Sequence, residues 1–127
     1  MSEVPMIAIV DDDESVRVAT SSLVRSFGFK TTVFASAEDF LASPTMPRTA
    51  CLVTDVQMPT MSGIELFEAL RARGVALPVI FITSFPEERV KRRAQEAGAA
   101  GFLAKPFDAD TMMGCVFEAL KGQPLPR

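Results

Sequence analysis

Short apolar runs that stop abruptly at polar side chains recur along the chain. Met6-Ile7-Ala8-Ile9-Val10 stops at Asp11-Asp12-Asp13, Cys51-Leu52-Val53-Thr54 at Asp55, Val79-Ile80-Phe81-Ile82 at Thr83-Ser84, and Gly101-Phe102-Leu103-Ala104 at Lys105. With Thr31-Thr32-Val33-Phe34 these predict five strands. Between them, apolar residues recur at helical spacing. Val16, Ala19, Leu23, Val24 and Phe27 predict a first helix, stopped by Gly28. Ser36 caps a short second helix bearing Phe40 and Leu41, with Asp39 at its third position in a near capping box. Pro44 and Pro47 mark the loop into the Cys51 run. Ile64, Leu66, Phe67 and Leu70 form a third helix after Gly63, closed by Gly74. A fourth starts at Pro86-Glu87-Glu88, carries Val90, Ala94 and Ala97, and stops at Gly98. Asp108 caps a fifth, whose inner face is Met112, Val116, Phe117 and Leu120.

This βα alternation, with strands apolar on both faces, implies a parallel sheet covered by helices on each side. Five such units fit a flavodoxin-like, doubly wound (βα)5 fold with parallel strand order 2-1-3-4-5. In that order the first and third strands meet at the topological switch point, where ligands bind beyond the carboxyl ends. Asp11, Asp12 and Asp55 would share that crevice. Residues 1–5 read as an N-terminal extension, 6–121 as one domain, and 122–127 as a tail or the stump of a linker.

Composition narrows the chemistry. At 127 residues and 48% hydrophobic, the chain can bury a sizeable core in one domain. A formal charge of −3 argues against a dominant nucleic-acid surface on this domain. The apolar runs are too short to span a bilayer, and the N-terminus has no signal-peptide pattern, so the cytoplasm is the expected compartment. Cys51 and Cys115 lack metal-ligand spacing and are expected to be buried apolar side chains. The chain has no histidine, which excludes histidine-based triads and HExxH sites. Any phosphohistidine must belong to a partner.

No glycine-rich phosphate loop follows the first strand, so dinucleotide and P-loop readings lose their support. The expected crevice is rich in carboxylates, and its like charges raise one another's pKa unless a counter-charge is supplied. Such a pocket suits Mg²⁺ or Mn²⁺, hard ions preferring oxygen ligands. A metal there could bridge carboxylates to a phosphoryl oxygen. A carboxylate such as Asp55 can attack phosphorus directly to give an aspartyl phosphate. Lys105 would pair with a carboxylate or phosphoryl oxygen, and Thr83 would donate to another oxygen.

The stretches Ile9-Val10-Asp11-Asp12-Asp13, Asp55-Val56-Gln57-Met58-Pro59-Thr60-Met61-Ser62-Gly63, Phe81-Ile82-Thr83-Ser84 and Phe102-Leu103-Ala104-Lys105-Pro106-Phe107 resemble the response-regulator receiver domain of two-component signalling. The likeness runs from about Pro5 to Leu120 and is nearest to the receivers of nitrogen-fixation regulators, which often precede a helix-turn-helix effector. It implies phosphorylation of Asp55 by a sensor histidine kinase. It also implies direct metal ligation by Asp12, Asp55 and the backbone carbonyl of Gln57, with Asp11 acting through a metal-bound water. Lys105 would bridge to the phosphoryl group, and Pro106 would follow a cis peptide bond. Thr83 and Phe102 match the family's switch pair. The output surface would be the fourth helix, fifth strand and fifth helix, serving an effector domain, a downstream protein or a homodimer formed on phosphorylation.

Other residues have simpler roles or depart from the family. Asp13 is expected to cap the first helix rather than bind metal. Arg89, Lys91, Arg92 and Arg93 form a basic cluster, but Glu87 and Glu88 stand four residues before Lys91 and Arg92, so local pairing on a solvated face is expected rather than DNA contact. Gln57 and Phe85 occupy variable positions bordering the phosphoryl group and are expected to modulate its lifetime. Phe85, apolar where polar residues are common, would restrict attacking water. Two competing readings are a Mg²⁺-dependent phosphohydrolase with an aspartyl nucleophile and a phosphorylation-independent interaction module. The first usually needs a second Asp two residues beyond the nucleophile, where Gln57 stands; the second leaves the Asp, Thr and Lys set unexplained.

Overall fold

In a computed structural model of the chain, residues 4–121 are described; the expected tail and the first three residues of the expected extension lie outside them. The strands are β1 (Met6–Val10), β2 (Lys30–Phe34), β3 (Cys51–Asp55), β4 (Val79–Thr83) and β5 (Gly101–Ala104). The helices are α1 (Glu14–Ser26), α2 (Ala37–Ala42), α3 (Gly63–Ala72), α4 (Glu88–Glu96) and α5 (Ala109–Ala119). All strand pairs are parallel and the sheet order is β2-β1-β3-β4-β5, as the βα rhythm requires.

Strand alternation divides the core into two layers. Ala8, Val10, Leu52, Val79 and Phe81 face α2, α3 and α4, packing on Phe40, Leu66, Phe67, Leu70 and Ala94. Ile7, Ile9, Cys51, Val53, Ile80 and Ile82 face α1 and α5, packing on Val24, Met112, Met113, Val116 and Leu120. β3 and β4 are buried along their whole length, whereas the edge strands β2 and β5 are partly exposed. Cys51 sits within the second layer, where burial, then the neighbouring Cys115, pushes its thiol up to about 12.

Helix ends follow side-chain chemistry. Asp13, Ser36, Ser62 and Asp108 each accept a backbone N–H at a helix start. Ser62 and Glu65 form a reciprocal capping box, so α3 begins at Gly63 itself. Gly28, Gly74 and Gly98 all have positive φ, the left-handed conformation that ends a helix most readily at glycine.

Three details differ from the sequence expectation. On α1 the buried residues are Thr20, Ser21 and Val24, while Phe27 is 40% exposed. The Ser21 hydroxyl meets that of Thr31 on β2 at 2.8 Å, so a small polar pair fills the place of an apolar contact. Val16 and Leu23 pack at the edge of the second layer and, with the exposed Ala19, line an open groove of about 600 Å³ beside Lys105, Pro106 and Phe107. On α5, Met113 is buried and Phe117 lies at the rim, its ring 5.8 Å from Phe29 and 6.2 Å from Phe27. On α4, no ion pair joins Glu87 to Lys91 or Glu88 to Arg92 among the described residues; Arg93 reaches across to Glu68 on α3. Exposed pairs at helical spacing gain only about 0.3–0.5 kcal/mol, too little to hold long side chains together against solvation. Among the described residues, no helix is long and apolar enough to cross a membrane.

Candidate functional site

The pleat that sorts the core also assembles the site. Ile7 and Ile9, Cys51 and Val53, and Leu103 face α1 and α5. The next residues of the same parity, Asp11, Asp55 and Lys105, therefore emerge on that side at the carboxyl edge. Register places Val10 beside Thr54, which brings Asp11 level with Asp55. From β5 the Lys105 ammonium reaches back across the sheet edge to both, at 2.9 Å from Asp11 Oδ2 and 3.4 Å from Asp55 Oδ2.

Asp11 is fully buried and both of its carboxylate oxygens are engaged, Oδ2 by Lys105 and Oδ1 by the Asp13 backbone N–H at 2.8 Å. Its backbone carbonyl accepts a bond from Arg17 at 2.7 Å. Asp12 is exposed, and Asp13 caps α1 through Val16 N. Burial and then the charge of Asp11 push the Asp55 carboxyl up to about 6, against the opposing pull of Lys105. Burial opposes the charge on Lys105, but its bond to Asp11 and the charges of Asp11 and Asp55 outweigh this and hold its pKa above the usual lysine value.

Asp11, Asp12 and Asp55 each offer a carboxylate oxygen within 4.8 Å of the others. Asp55 Oδ1 is buried without a hydrogen-bond partner among the described residues. An unpaired buried carboxylate oxygen is costly unless something cationic or protic meets it. An all-oxygen donor set with one orphaned oxygen and one solvent-facing carboxylate fits a hard divalent cation that retains water.

The remaining residues named from the sequence are placed as follows. Thr83 ends β4 with the opposite parity, on the α3–α4 side, and is fully buried. Its hydroxyl donates to Gln57 Oε1 at 2.6 Å and accepts from Phe85 N–H at 3.0 Å. Phe102 shares that side of the sheet; its partly buried ring lies 6.4 Å from Phe81, whose β4 position precedes Thr83 by two residues. Phe85 is 67% exposed. The Lys105–Pro106 peptide is cis.

Gly63, read from the sequence only as a helix boundary and the end of the acceptor stretch, also packs against the site. A Cβ on Gly63 would stand 2.2 Å from the Asp55 backbone oxygen and 3.1 Å from its carbonyl carbon. The loop returning from Asp55 thus closes onto the first turn of α3, where Gly63 N–H donates to Val56 O at 2.9 Å. Gly63→Ala is expected to destabilise the fold by about 3 kcal/mol or more, because backbone has to move and no side chain can yield. Urea denaturation measures this directly. Ser62-x-x-Glu65 could have signalled the helix start, but the close approach depends on tertiary structure.

The geometry defines a doubly wound α/β domain with an acidic crevice and an opposed lysine. Residues 7–117 match the response regulator receiver domain, and the chain belongs to that family, the phosphorylatable switch domains of two-component signalling. It is 39% identical over 122 residues to the response regulator protein TodT of Pseudomonas putida, covering 96% of this chain and 54% of that protein. The transcriptional regulatory protein FixJ of Azorhizobium caulinodans is 38% identical over 120 residues, 94% of this chain and 57% of FixJ. The chain thus spans about half the length of the curated relatives it matches. Among solved structures, the amino-terminal part of FixJ superposes with a TM-score of 0.83 at 35% identity, covering 94% of each chain. The response regulator StyR gives 0.85 at 40% identity, covering 94% of this chain and 60% of that one. The family match does not favour the phosphohydrolase or the bare interaction module.

Proposed function

We propose that Asp55 accepts a phosphoryl group from the phosphohistidine of a sensor histidine kinase. The observation that carries this reading is the Asp55 carboxylate itself, with Oδ1 unpaired and Oδ2 facing the Lys105 ammonium at 3.4 Å. An Asp55 oxygen forms the new bond to phosphorus, the phosphorus–nitrogen bond breaks, and its electron pair returns to the donor imidazole. Hydrolysis later restores the carboxylate and releases inorganic phosphate. Bound Mg²⁺ or Mn²⁺ would neutralise charge on the phosphoryl oxygens, held by Asp12, Asp55 and the Gln57 carbonyl directly and by Asp11 through water. Lys105 exchanges its Asp55 contact for a phosphoryl oxygen while keeping Asp11 as its anchor. Acetyl phosphate with Mg²⁺ is expected to add one phosphate by mass spectrometry; addition of none, with no Mg²⁺ binding, overturns the reading.

The phosphoryl group then biases a two-state element. The Thr83 hydroxyl turns toward it, and Phe102, on the same side of the sheet, moves into the space released. The change is read at the α4-β5-α5 surface by an effector domain, a downstream protein or a second phosphorylated copy. Transcriptional control is the output suggested by the names of relatives such as FixJ, with DNA contact left to the effector. The domain works in the cytoplasm and turns over no metabolite of its own.

Phe85 follows Thr83 by two residues, and its N–H is fixed by the Thr83 hydroxyl. Its apolar ring limits the water that hydrolyses the phosphoryl group. Phe85→Glu is expected to lose phosphate faster than wild type when decay is followed after removing the donor; equal lifetimes refute the role.

A further inference from the structure

The switch hydroxyl is already occupied. Thr83 has one hydroxyl proton, and it is donated to Gln57 Oε1 at 2.6 Å. The Thr83 oxygen in turn accepts the Phe85 N–H at 3.0 Å. We propose that the Gln57 side chain is a positioning residue that holds the Thr83 hydroxyl away from Asp55 until a phosphoryl oxygen competes for the same proton. This deepens the proposed function and rests on it for the identity of the competitor. The hold itself belongs to the unphosphorylated chain.

The juxtaposition follows from the sheet. Asp55 is in register with Ile82, and pairing continues one residue past β3, where Val56 N–H donates to Ile82 O at 3.0 Å. Gln57 therefore leaves the sheet beside the end of β4, within reach of Thr83. Parity sends Asp55 and Lys105 to the α1–α5 side and Thr83 to the other. The hydroxyl has to rotate to meet a group carried on Asp55, and rotation breaks the Gln57 bond. Gln57 is exposed, so the released amide is taken up by water and leaves no buried polar group behind. An amide oxygen is also a weaker acceptor than a charged phosphoryl oxygen, so the hold yields when phosphate arrives. An uncharged, solvent-backed acceptor is thus strong enough to bias the resting state and weak enough to lose the proton to phosphate.

Gln57→Met keeps the length of the side chain, the backbone carbonyl and the neutral charge while removing the strong acceptor. In the unphosphorylated chain it is expected to raise the population of the alternative Thr83 rotamer roughly two- to tenfold, the effect of one ordinary hydrogen bond. The measurement is the set of three-bond couplings to the Thr83 methyl carbon by NMR, without donor or metal. Gln57→Ala should act likewise, and Gln57→Glu, which keeps an acceptor oxygen at the same reach and charges it, should hold the wild-type rotamer at least as strongly. Unchanged Thr83 couplings in both Gln57→Met and Gln57→Ala, with undisturbed amide spectra, would overturn the proposal. Equal shifts in Gln57→Glu would do the same, since loss of the acceptor would then not be the cause. Failure of wild type to take up phosphate overturns the acceptor reading instead, and leaves these couplings interpretable.

Discussion

Asp55→Asn is expected to take up no phosphate and yet to fold more stably than wild type in metal-free buffer at neutral pH. The same burial that prepares Asp55 for chemistry makes its charge unfavourable, with Asp11 and Asp12 adding repulsion that Lys105 only partly offsets. Its carboxyl is pushed up to about 6 in the folded chain, above its value in the unfolded one. A group with a raised folded pKa contributes stability that is complete below its unfolded pKa and is lost as pH rises through its folded pKa. Metal-free wild type should therefore lose about 1–3 kcal/mol through Asp55 as pH climbs from roughly 4 to roughly 6. The asparagine variant lacks this term, so the difference between the two chains isolates it from every other carboxylate. Mg²⁺ should raise the wild-type melting temperature at neutral pH and have little effect in acid, where protons displace it. Thermal denaturation across pH, with and without Mg²⁺, checks all three points. A variant less stable than wild type at neutral pH, or one with the same pH slope, would refute the account.

The sheet was legible because central parallel strands are apolar on both faces, so their polar ends stand out as punctuation at Asp11, Asp55, Thr83 and Lys105. Helix stops at Gly28, Gly74 and Gly98 were legible because local backbone conformation decides them. The α1 face was harder to read. Spacing alone favoured Ala19 and Phe27, whereas packing buries Thr20 and Ser21, whose small polar side chains fit against β2. Within the site, residue types and order were visible, but contacts were not. The bond between Gln57 and Thr83 depends on the β3–β4 register, and the demand for glycine at position 63 depends on where the Asp55 carbonyl lies. Thr60, a β-branched residue at φ 69 in the loop between β3 and α3, has no sequence signal that would have marked it.

Lys105→Met should be the most damaging change to a charged group of the crevice, and the damage should depend on metal. Lys105 is the shared partner of two carboxylates, and one of them, Asp11, is fully buried. Removing one member of a buried pair leaves the other charge uncompensated, which costs about 3 kcal/mol. Lys105 itself is held above its usual pKa, so its contribution is complete at neutral pH and is lost only on strongly alkaline titration. Urea denaturation in metal-free buffer at neutral pH should show this loss, and Asp11→Asn in the same chain should recover much of it because the two changes act on one contact. Mg²⁺ should also recover part of the stability, since a divalent cation supplies positive charge to the same carboxylates. It should not recover the phosphorylation-induced shift at Thr83 and Phe102, because the phosphoryl oxygen that Lys105 would draw in has lost its partner. An unchanged urea midpoint in Lys105→Met would show that the ammonium is dispensable to the fold. Full switching in the presence of Mg²⁺ would show that it is dispensable to the signal.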